Sequence, residues 1–238
     1  MTDYLKDLGS TIRNIRKIRG LTLQNLADII NKSKATVSKY ENGEISIDIL
    51  TMNEISKALK VNIDELLPKK EKIIVEKLSE IDNKKPNFFK NNSEIYAYYY
   101  DGRNMSIITS ILNIIKYNED ESGDVNMYMN IKDLDYPQAC ENVYYGKIYH
   151  YDVITKIYLE NRDTPIEKAT IAILSPFQET SERWGLWSGI SIRPIMPAAL
   201  KMLFTKKPLN LDKRLRDKLI ISKEDQKNLK HFNMFSVF

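Results

Sequence analysis

Cysteine and histidine are scarce in this sequence of 238 residues, which has one cysteine, Cys140, and two histidines, His150 and His231. A single cysteine cannot form an intramolecular disulfide, and these three residues do not have the spacing of zinc ligands. The sequence also lacks an apolar run of about 18 residues and a charged start followed by an apolar stretch. We therefore expect a cytoplasmic protein without a metal site, a cofactor or a membrane partner.

The motifs of several common enzyme classes are missing as well. The sequence contains no GxSxG, HExxH, P-loop or dinucleotide-binding pattern. Its closely spaced carboxylates, Asp133 with Asp135 and Glu119 with Glu121, stand among other charges and are typical of solubilising turns. We expect no catalytic residues and no enzymatic function.

The chain has the composition of a soluble globular protein, with 42% hydrophobic and 29% charged residues, and a length that suits two ordinary domains. Its charge is unevenly distributed near the start. Residues 11–39 contain seven lysines and arginines against Asp28 alone, whereas residues 40–65 contain six acidic residues against Lys57 and Lys60. The first of these segments is expected to attract phosphate.

Helical signals fill residues 1–67. Apolar residues recur at helical spacing, and cap-forming residues separate the short segments. Thr22 and Ser33 are predicted N-caps of the second and third helices, Gly43 ends the third, and Asn62 caps a fifth. The expected inward residues are Leu8, Ile12, Ile15 and Ile18, then Leu26, Ala27 and Ile30, then Val37 and Tyr40, and finally Met52, Ile55 and Leu59. The sequence thus predicts an all-α five-helix domain.

The helical pattern of residues 1–67 ends at about residue 68. Residues 68–93 predict a short helix, a polar linker and a domain boundary. From Glu94 the apolar period falls to two, and strand-like segments without helices of crossover length favour a mainly antiparallel β domain over residues 94–238, a meander or a barrel. The six segments are 94–100, 105–118, 124–131, 143–160, 167–174 and 184–193. After Pro194 we expect a helical tail comprising "PAALKMLF", residues 212–219 and "SKEDQKNLKHF", with Ser222 and Asp225 as a capping box.

Three strings in the helical region, "LTLQNLA", "TVSKYENG" and "KALKVNIDELL", resemble the Cro/lambda-repressor-like, or XRE-like, helix-turn-helix family from about Leu8 to Leu67. The resemblance implies a homodimer that binds a double-stranded DNA operator with the third helix, and it implies that Arg16 pairs with Glu41. Two positions depart from the family pattern. Leu23 stands where the family has glutamine, and Asn31 replaces the usual glycine.

The predicted DNA-contacting surface is centred on the third helix. Its outward residues are small or cationic, whereas an ordinary exposed helix favours Glu, Gln and Lys. Short side chains at a helix start allow close approach to base edges, and lysine can donate to guanine or phosphate. The expected base-reading residues are Lys34, Ala35, Thr36, Ser38 and Lys39. The residues expected at phosphates are Thr22, Gln24, Ser33, Asn42 and Arg13.

Tyrosine marks the second domain, since twelve of the fourteen tyrosines follow residue 93. A β-barrel lined with tyrosine can hold a small amphipathic effector, whereas tyrosines in sheets also form plain cross-strand packing pairs. Trp184 and Trp187 are three apart and should face opposite sides of a strand, while Gly185 and Gly189 indicate a bulge or a close approach. The candidate effector-binding residues are Tyr98, Tyr128, Tyr149, His150, Tyr158 and Trp187.

Several roles therefore remain open for the second domain. The sequence favours a transcription regulator, a repressor, whose β-rich domain binds a small-molecule or peptide effector, forms the dimer, or does both. One alternative is an antitoxin-like or phage-type repressor whose second domain binds a protein partner. Another, less favoured, is an enzyme with a DNA-targeting domain.

Overall fold

The computed structural model of the protein describes residues 2–68, 86, 88–174, 180–192 and 195–237. These residues form two compact units. One contains the helices before residue 69 together with Lys132–Cys140, and the other contains the β-strands and the C-terminal helices. Among the described residues, no helix is long and apolar enough to cross a membrane.

The predicted five-helix domain is confirmed within residues 2–68. Its helices are α1 (Thr2–Ile18), α2 (Leu23–Ile29), α3 (Lys34–Glu41), α4 (Ile49–Leu59) and α5 (Ile63–Leu66). Thr22 and Ser33 are the N-caps of α2 and α3, and Asn62 forms a capping box with Glu65. Asn31 adopts a left-handed φ of 50° where the chain turns between α2 and α3.

The core of this unit consists of the predicted inward residues. Ile12, Ile15, Leu26 and Ile55 are completely buried, and Val37 of α3 is 1% exposed. Gly43 ends α3 with a φ of 69°, and a Cβ atom there would lie 2.6 Å from the backbone nitrogen of Lys6. Only glycine fits this left-handed position beside α1.

A segment from later in the chain completes the helical core. Lys132–Cys140, called here the β3–β4 segment, belongs with the helices, and its 3-10 helix Pro137–Ala139 is buried. Ala139 packs in the helical core cluster beside Tyr136. Nothing in the sequence pattern predicted this arrangement, because the contacts join residues more than seventy positions apart.

The predicted antiparallel β domain is a closed barrel in which each strand pairs with its neighbour in sequence and β1 pairs with β8. The eight strands of the described residues are β1 (Glu94–Asp101), β2 (Ser106–Tyr117), β3 (Gly123–Met129), β4 (Asn142–His150), β5 (Ile154–Asn161), β6 (Lys168–Leu174), β7 (Glu182–Ile192) and β8 (Ile195–Thr205). This arrangement is an up-and-down barrel.

Two strand assignments from the sequence were wrong. The single run predicted for 143–160 is a hairpin of β4 and β5, and the intervening turn changes which alternate residues point inward. This change explains why both faces of the run look mixed. The segment "PAALKMLF" is not helical but lies in β8, because Met202 and Phe204 fill the barrel interior, which overrides the helix propensity of Ala, Leu and Met.

Side chains alternate between the barrel interior and its outer face. Trp187 lies inside and Trp184 outside, as predicted, and Gly185 and Gly189 are positions of close approach. The tail forms α6 (Lys213–Leu219) and α7 (Lys223–Phe232), with the predicted capping box at Ser222 and Asp225. Predicted boundaries at residues 68 and 93 stay predictions, and the helix expected after Pro68 falls outside the described residues.

Candidate nucleic-acid interface

Helix α3 turns its small and cationic side chains outward. Lys34, Ala35 and Lys39 are exposed and Thr36 and Ser38 are half-buried, whereas Val37 and Tyr40 pack inward. The helix is therefore fixed to the domain by one face. The other face is free to approach a ligand, and its side chains are short near the helix start.

Helix α3 begins with hydrogen bonds from its own sequence. The N–H of Thr36 donates to Ser33 Oγ over 3.0 Å, and the two hydroxyl oxygens lie 2.8 Å apart. Thr22 plays the same part for α2 by accepting from the N–H of Asn25. Both predicted phosphate contacts are thus also caps, so they hold two helix starts at the surface.

A buried ion pair fixes α1 to the end of α3. Arg16 Nε lies 2.5 Å from Glu41 Oε1, and Arg16 Nη2 lies 2.9 Å from Glu41 Oε2. Both side chains are more than nine-tenths buried. The pairing that the family resemblance implied is confirmed, and its two parallel bonds have the bidentate geometry that makes arginine pairs directional.

Some arginines of the basic segment 11–39 form hydrogen bonds within the helical domain. Arg19 donates to the carbonyl oxygens of Leu59 and Cys140. Arg13 donates to Glu41 Oε2 over 3.3 Å and to Asn42 Oδ1. The exposed charge available to an external phosphate is therefore carried mainly by the lysines, which are Lys17, Lys32, Lys34 and Lys39, together with the partly exposed Arg13.

Two of the predicted phosphate contacts have partners within the chain. Gln24 Nε2 donates to Asp28 Oδ1 over 2.7 Å, and Asn42 Nδ2 donates to Glu44 Oε1 over 2.8 Å. All of these groups are exposed. A bound phosphate would replace an exposed side-chain hydrogen bond, which is a small cost.

The β3–β4 segment is held to the helices by polar bonds as well as by packing. Asn14 Nδ2 donates to Tyr136 Oη over 2.7 Å. Gln138 Nε2 donates to the carbonyl oxygen of Glu65 over 3.1 Å, and Arg19 Nη1 to that of Cys140 over 2.9 Å. These bonds engage α1 and α5 and leave the outward face of α3 uncovered.

The six candidate effector residues do not form one site. Tyr98 lies on the outer face, where its Oη accepts the N–H of Leu209. The rings of Tyr149 and Tyr158 contact each other edge to face with centroids 5.8 Å apart, and Tyr158 is 47% exposed. Tyr128 alternates with the inward residues Met127 and Met129 and is therefore also outward. The prediction that these tyrosines line the interior is wrong.

His150 and Trp187 do face inward, but towards opposite ends of the barrel. His150 Nε2 lies 3.0 Å from Tyr117 Oη and His150 Nδ1 lies 3.0 Å from Thr155 Oγ1, while the ring of Phe89 packs against the imidazole. This histidine is satisfied within the protein. Trp187 is 4% exposed in the core cluster.

The tyrosines that face the barrel interior are Tyr99, Tyr117 and Tyr144, and none of them is among the six candidate effector residues. Tyr144 Oη donates to Glu167 Oε1 over 2.7 Å, and Asn161 Nδ2 donates to Glu167 Oε2 over 2.9 Å. Burial and the hydrogen bond to Glu167 raise the pKa of Tyr144. Strict alternation with Ile95 and Ala97 would have selected Tyr99 over Tyr98.

Two carboxylates, those of Glu167 and Asp101, lie near the inward tyrosines Tyr144 and Tyr99. Burial, and then the nearby carboxylate of Asp101, raise the pKa of Tyr99 to about 12. Arg103 donates to Asp101 and holds the pKa of that carboxyl below its usual value. Among the described residues, no group of three or more His, Cys, Asp or Glu side chains could hold a metal ion.

Comparison with known families gives one match. The profile of the family HTH_3, described as Helix-turn-helix, matches residues 12–66. No curated protein shows a significant sequence match to this chain.

Three solved structures illustrate the similarity. The BldD DNA-binding domain of S. venezulae is 29% identical and covers 28% of this chain and 99% of its own, with a TM-score of 0.26. The restriction-modification controller protein C.AhdI from Aeromonas hydrophila is 24% identical over 26% of this chain and 96% of its own, with a TM-score of 0.26. The hydroxypropylphosphonic acid epoxidase of S. wedmorenis covers 87% of this chain and 93% of its own at 11% identity and a TM-score of 0.29.

Proposed function

Residues 12–66 form a helix-turn-helix domain of the XRE-like family, and on this premise we propose that the protein is a sequence-specific DNA-binding regulator of transcription. The observation that carries the proposal is the outward face of α3, where Lys34, Ala35 and Lys39 are exposed beside the hydroxyl groups of Thr36 and Ser38. A helix of this kind fits the major groove, and short side chains let its backbone approach the bases.

The residues divide into two roles on DNA. Lys34, Ala35, Thr36, Ser38 and Lys39 read base edges. Thr22, Gln24, Ser33, Asn42 and Arg13 position the domain on the sugar-phosphate backbone. The buried pair of Arg16 and Glu41 contacts no DNA in this scheme, and it sets the angle between α1 and the end of α3.

We also propose a homodimer on a pseudo-palindromic operator with half-sites about one helical turn apart. A monomer reads only a few base pairs with one recognition helix, so a dimer is needed to give the specificity that a regulator requires. Repression then follows from occlusion of polymerase. Cytoplasmic localisation stays a prediction that agrees with a DNA-binding role.

The test is selection of bound fragments from random double-stranded DNA by the full chain, followed by footprinting and by mass measurement of the complex. We expect an inverted repeat, two chains per duplex, and affinity that falls steeply with salt. Lys34→Glu should abolish the footprint. Lys57→Glu, an exposed charge reversal on α4, should leave it intact. Recovery of no preferred sequence, or equal loss in both variants, would overturn the proposal.

For the barrel we propose effector binding rather than catalysis. The support is the inward-facing polar group around Tyr99, Tyr144 and Trp187. A protein partner remains the second candidate, and the exposed side chains of Ile195 and Met196 at the tip of β8 favour it. A melting temperature that rises with small molecules and ignores protein partners would separate the two.

We propose that the β3–β4 segment carries the effector's influence to the helices. Met129 lies inside the barrel at the end of β3, and after Asn130 the chain runs directly into a segment that is bonded to Asn14 and Glu65. A change in the position of β3 or β4 is thereby transmitted to α1 and α5 through a short piece of backbone.

A further inference from the structure

The two ends of the barrel interior differ in chemistry. At the end where β2 joins β3 and β4 joins β5, Phe88 and Phe89 pack among isoleucines, and the polar groups Tyr117, His150 and Thr155 satisfy one another. We call the opposite end, where β1 joins β2 and β7 joins β8, the polar end. Its inward polar side chains include Tyr99, Ser110, Tyr144 and Trp187.

The strand registers bring these four side chains to one layer. Ser110 of β2 pairs with Ala97 of β1, and Tyr99 is the next inward residue of β1 in the direction of the polar end. Tyr144 pairs with Met127, and Trp187 pairs with Leu200. Because neighbouring strands of a barrel are staggered, these positions reach similar depth although they lie at different points of their strands.

Two hydrogen-bond donors in this layer have no partner. Trp187 Nε1 and Ser110 Oγ are buried, and neither forms a hydrogen bond with any described residue. Trp187 is 4% exposed and Ser110 is completely buried. Buried polar atoms are nearly always paired, and an indole N–H can only donate. The missing partner of Trp187 is therefore an acceptor that the described part of the chain does not supply.

Glycine explains why the indole is placed in this way. A Cβ atom on Gly189 would lie 2.8 Å from Cζ2 and Cη2 of Trp187, so the indole ring occupies the space that a side chain at position 189 would take. Any larger residue at position 189 would displace the ring. The sequence thus keeps the indole at the polar end.

The remaining groups of the layer disfavour an anion. Glu167 already accepts from Tyr144 and Asn161, and Asp101 adds a second carboxylate nearby. The walls are apolar and include Met129, Leu159 and Leu200. A ligand here is best uncharged and mainly apolar.

The seam between β1 and β8 is only partly paired beside this layer. Within the described residues, β1 and β8 pair over three positions only, Tyr96–Tyr98 with Leu203–Thr205. Beside Tyr99–Asp101 the barrel wall is therefore not closed by backbone hydrogen bonds. The outer face of this seam is covered by Leu215 and Leu219 of α6, which pack against Tyr98 and Leu203.

We propose that the polar end of the barrel binds a small, uncharged, mainly apolar molecule whose carbonyl-type oxygen accepts hydrogen bonds from Trp187 Nε1 and Ser110 Oγ. The proposal rests on the proposed function only in calling this molecule an effector. The hydrogen bonds fix the orientation of the ligand, and the apolar walls contribute most of its affinity.

The test observes the two indole N–H signals of the ¹⁵N-labelled full chain by nuclear magnetic resonance, assigned with Trp184→Phe. Three probes share a six-membered ring: cyclohexanone, methylcyclohexane and cyclohexanecarboxylate. We expect cyclohexanone to shift the Trp187 signal downfield in a saturable way and to leave Trp184 unchanged. Methylcyclohexane should cause no downfield shift, and the carboxylate should not bind.

A matched serine pair provides the control. Ser110→Ala should weaken cyclohexanone binding about three- to tenfold, as expected for one hydrogen bond. Ser188→Ala, on the outer face of β7, should not.

The proposal is overturned if cyclohexanone causes no saturable shift of the Trp187 signal, as expected when a water molecule alone fills the site. It is equally overturned if the carboxylate binds as well as the ketone, or if both serine variants bind like the wild type. The DNA-selection experiment uses none of the three ring compounds, so its result is independent of this one. If the protein selects an operator but does not bind cyclohexanone, the proposed DNA-binding function stands and only the ligand proposal is refuted.

Discussion

The helical domain and the barrel differ in where they place their chemistry. Helix α3 presents its polar atoms to the outside, and their position follows from caps and apolar spacing within a few residues, as with Ser33 and Val37. The barrel places its polar atoms inside, and whether Tyr98 or Tyr99 is one of them depends on register with β2 and β8. An outward-facing site is therefore determined by local sequence, whereas an inward-facing site is determined by the register between paired strands.

The two regions also differ in what stabilises them. The helical domain depends on a buried ion pair between Arg16 and Glu41. The barrel interior has hydrogen bonds between neutral groups, such as that between Tyr117 and His150, and the buried carboxylate of Glu167 accepts from the uncharged donors Tyr144 and Asn161. Both tryptophans are in the barrel, so fluorescence reports the unfolding of the barrel alone while circular dichroism at 222 nm reports mainly the helices.

The largest expected effect comes from Arg16→Met, which leaves the buried carboxylate of Glu41 without its main partner. We expect a loss of about 3–5 kcal/mol in the free energy of unfolding of the helical domain. In a urea titration the 222 nm transition should move to lower urea while the tryptophan transition stays in place. Lys17→Met, on the next and exposed residue, is the control. Equal movement of both transitions would contradict the separation of the two regions.

A smaller effect is expected for DNA affinity. Lys39→Ala should cost about 1–3 kcal/mol of binding free energy and relax the preference at one base pair. Arg13→Ala should instead lower affinity evenly over all sequences, because Arg13 acts near the backbone and holds Asn42. Gel shifts on the selected operator and its single-base variants measure both. Unchanged affinity and preference in Lys39→Ala would remove the recognition role from α3.

The β3–β4 segment sharpens the comparison, since it comes from the barrel strands yet belongs to the helical core. Tyr136→Phe removes the acceptor of Asn14 and should lower the stability of the helical domain by about 1 kcal/mol. Only the 222 nm transition should move. Tyr151→Phe, at an exposed turn, serves as the matched control. A shift of the tryptophan transition in Tyr136→Phe would contradict the assignment of Tyr136 to the helical unit.

The smallest effect is a pH dependence of the barrel. The pKa of Asp101 is lowered in the folded state by the hydrogen bond from Arg103, so its contribution to stability is present above the ordinary pKa of about 4 and is lost as pH falls through the lowered value. Asp101→Asn should flatten this acid decline in the tryptophan transition. Asp152→Asn should keep it, and an identical decline in both variants would rule Asp101 out as its source.

The sequence predicted the helical domain almost element by element. Caps such as Ser33 and Asn62 and the inward stripe of Val37 and Tyr40 are local signals, and the structure confirms them. The outward placement of Lys34 and Lys39 follows from the same signals, although their contact with DNA stays a prediction.

The barrel was predicted as a class but not in its inward residues. The turn at residues 151–153 contains neither glycine nor proline, so the β4–β5 hairpin looked like one strand. Strand β8 is rich in Ala, Leu and Met and was taken for a helix. In both cases pairing with a distant strand decides the conformation, and no pattern within the segment reveals the partner.

Residues 1–68 do not make up the whole helical fold, because Ala139 and Tyr136 are part of its core. A protease that cuts between residues 69 and 85 would therefore leave the fragments noncovalently joined through the β3–β4 segment. A truncated N-terminal fragment, conversely, would expose an apolar depression where Ala139 had been. Transplanting the helical domain onto another protein would require the nine-residue β3–β4 segment to be moved with it, because this distant part of the chain completes the helical core.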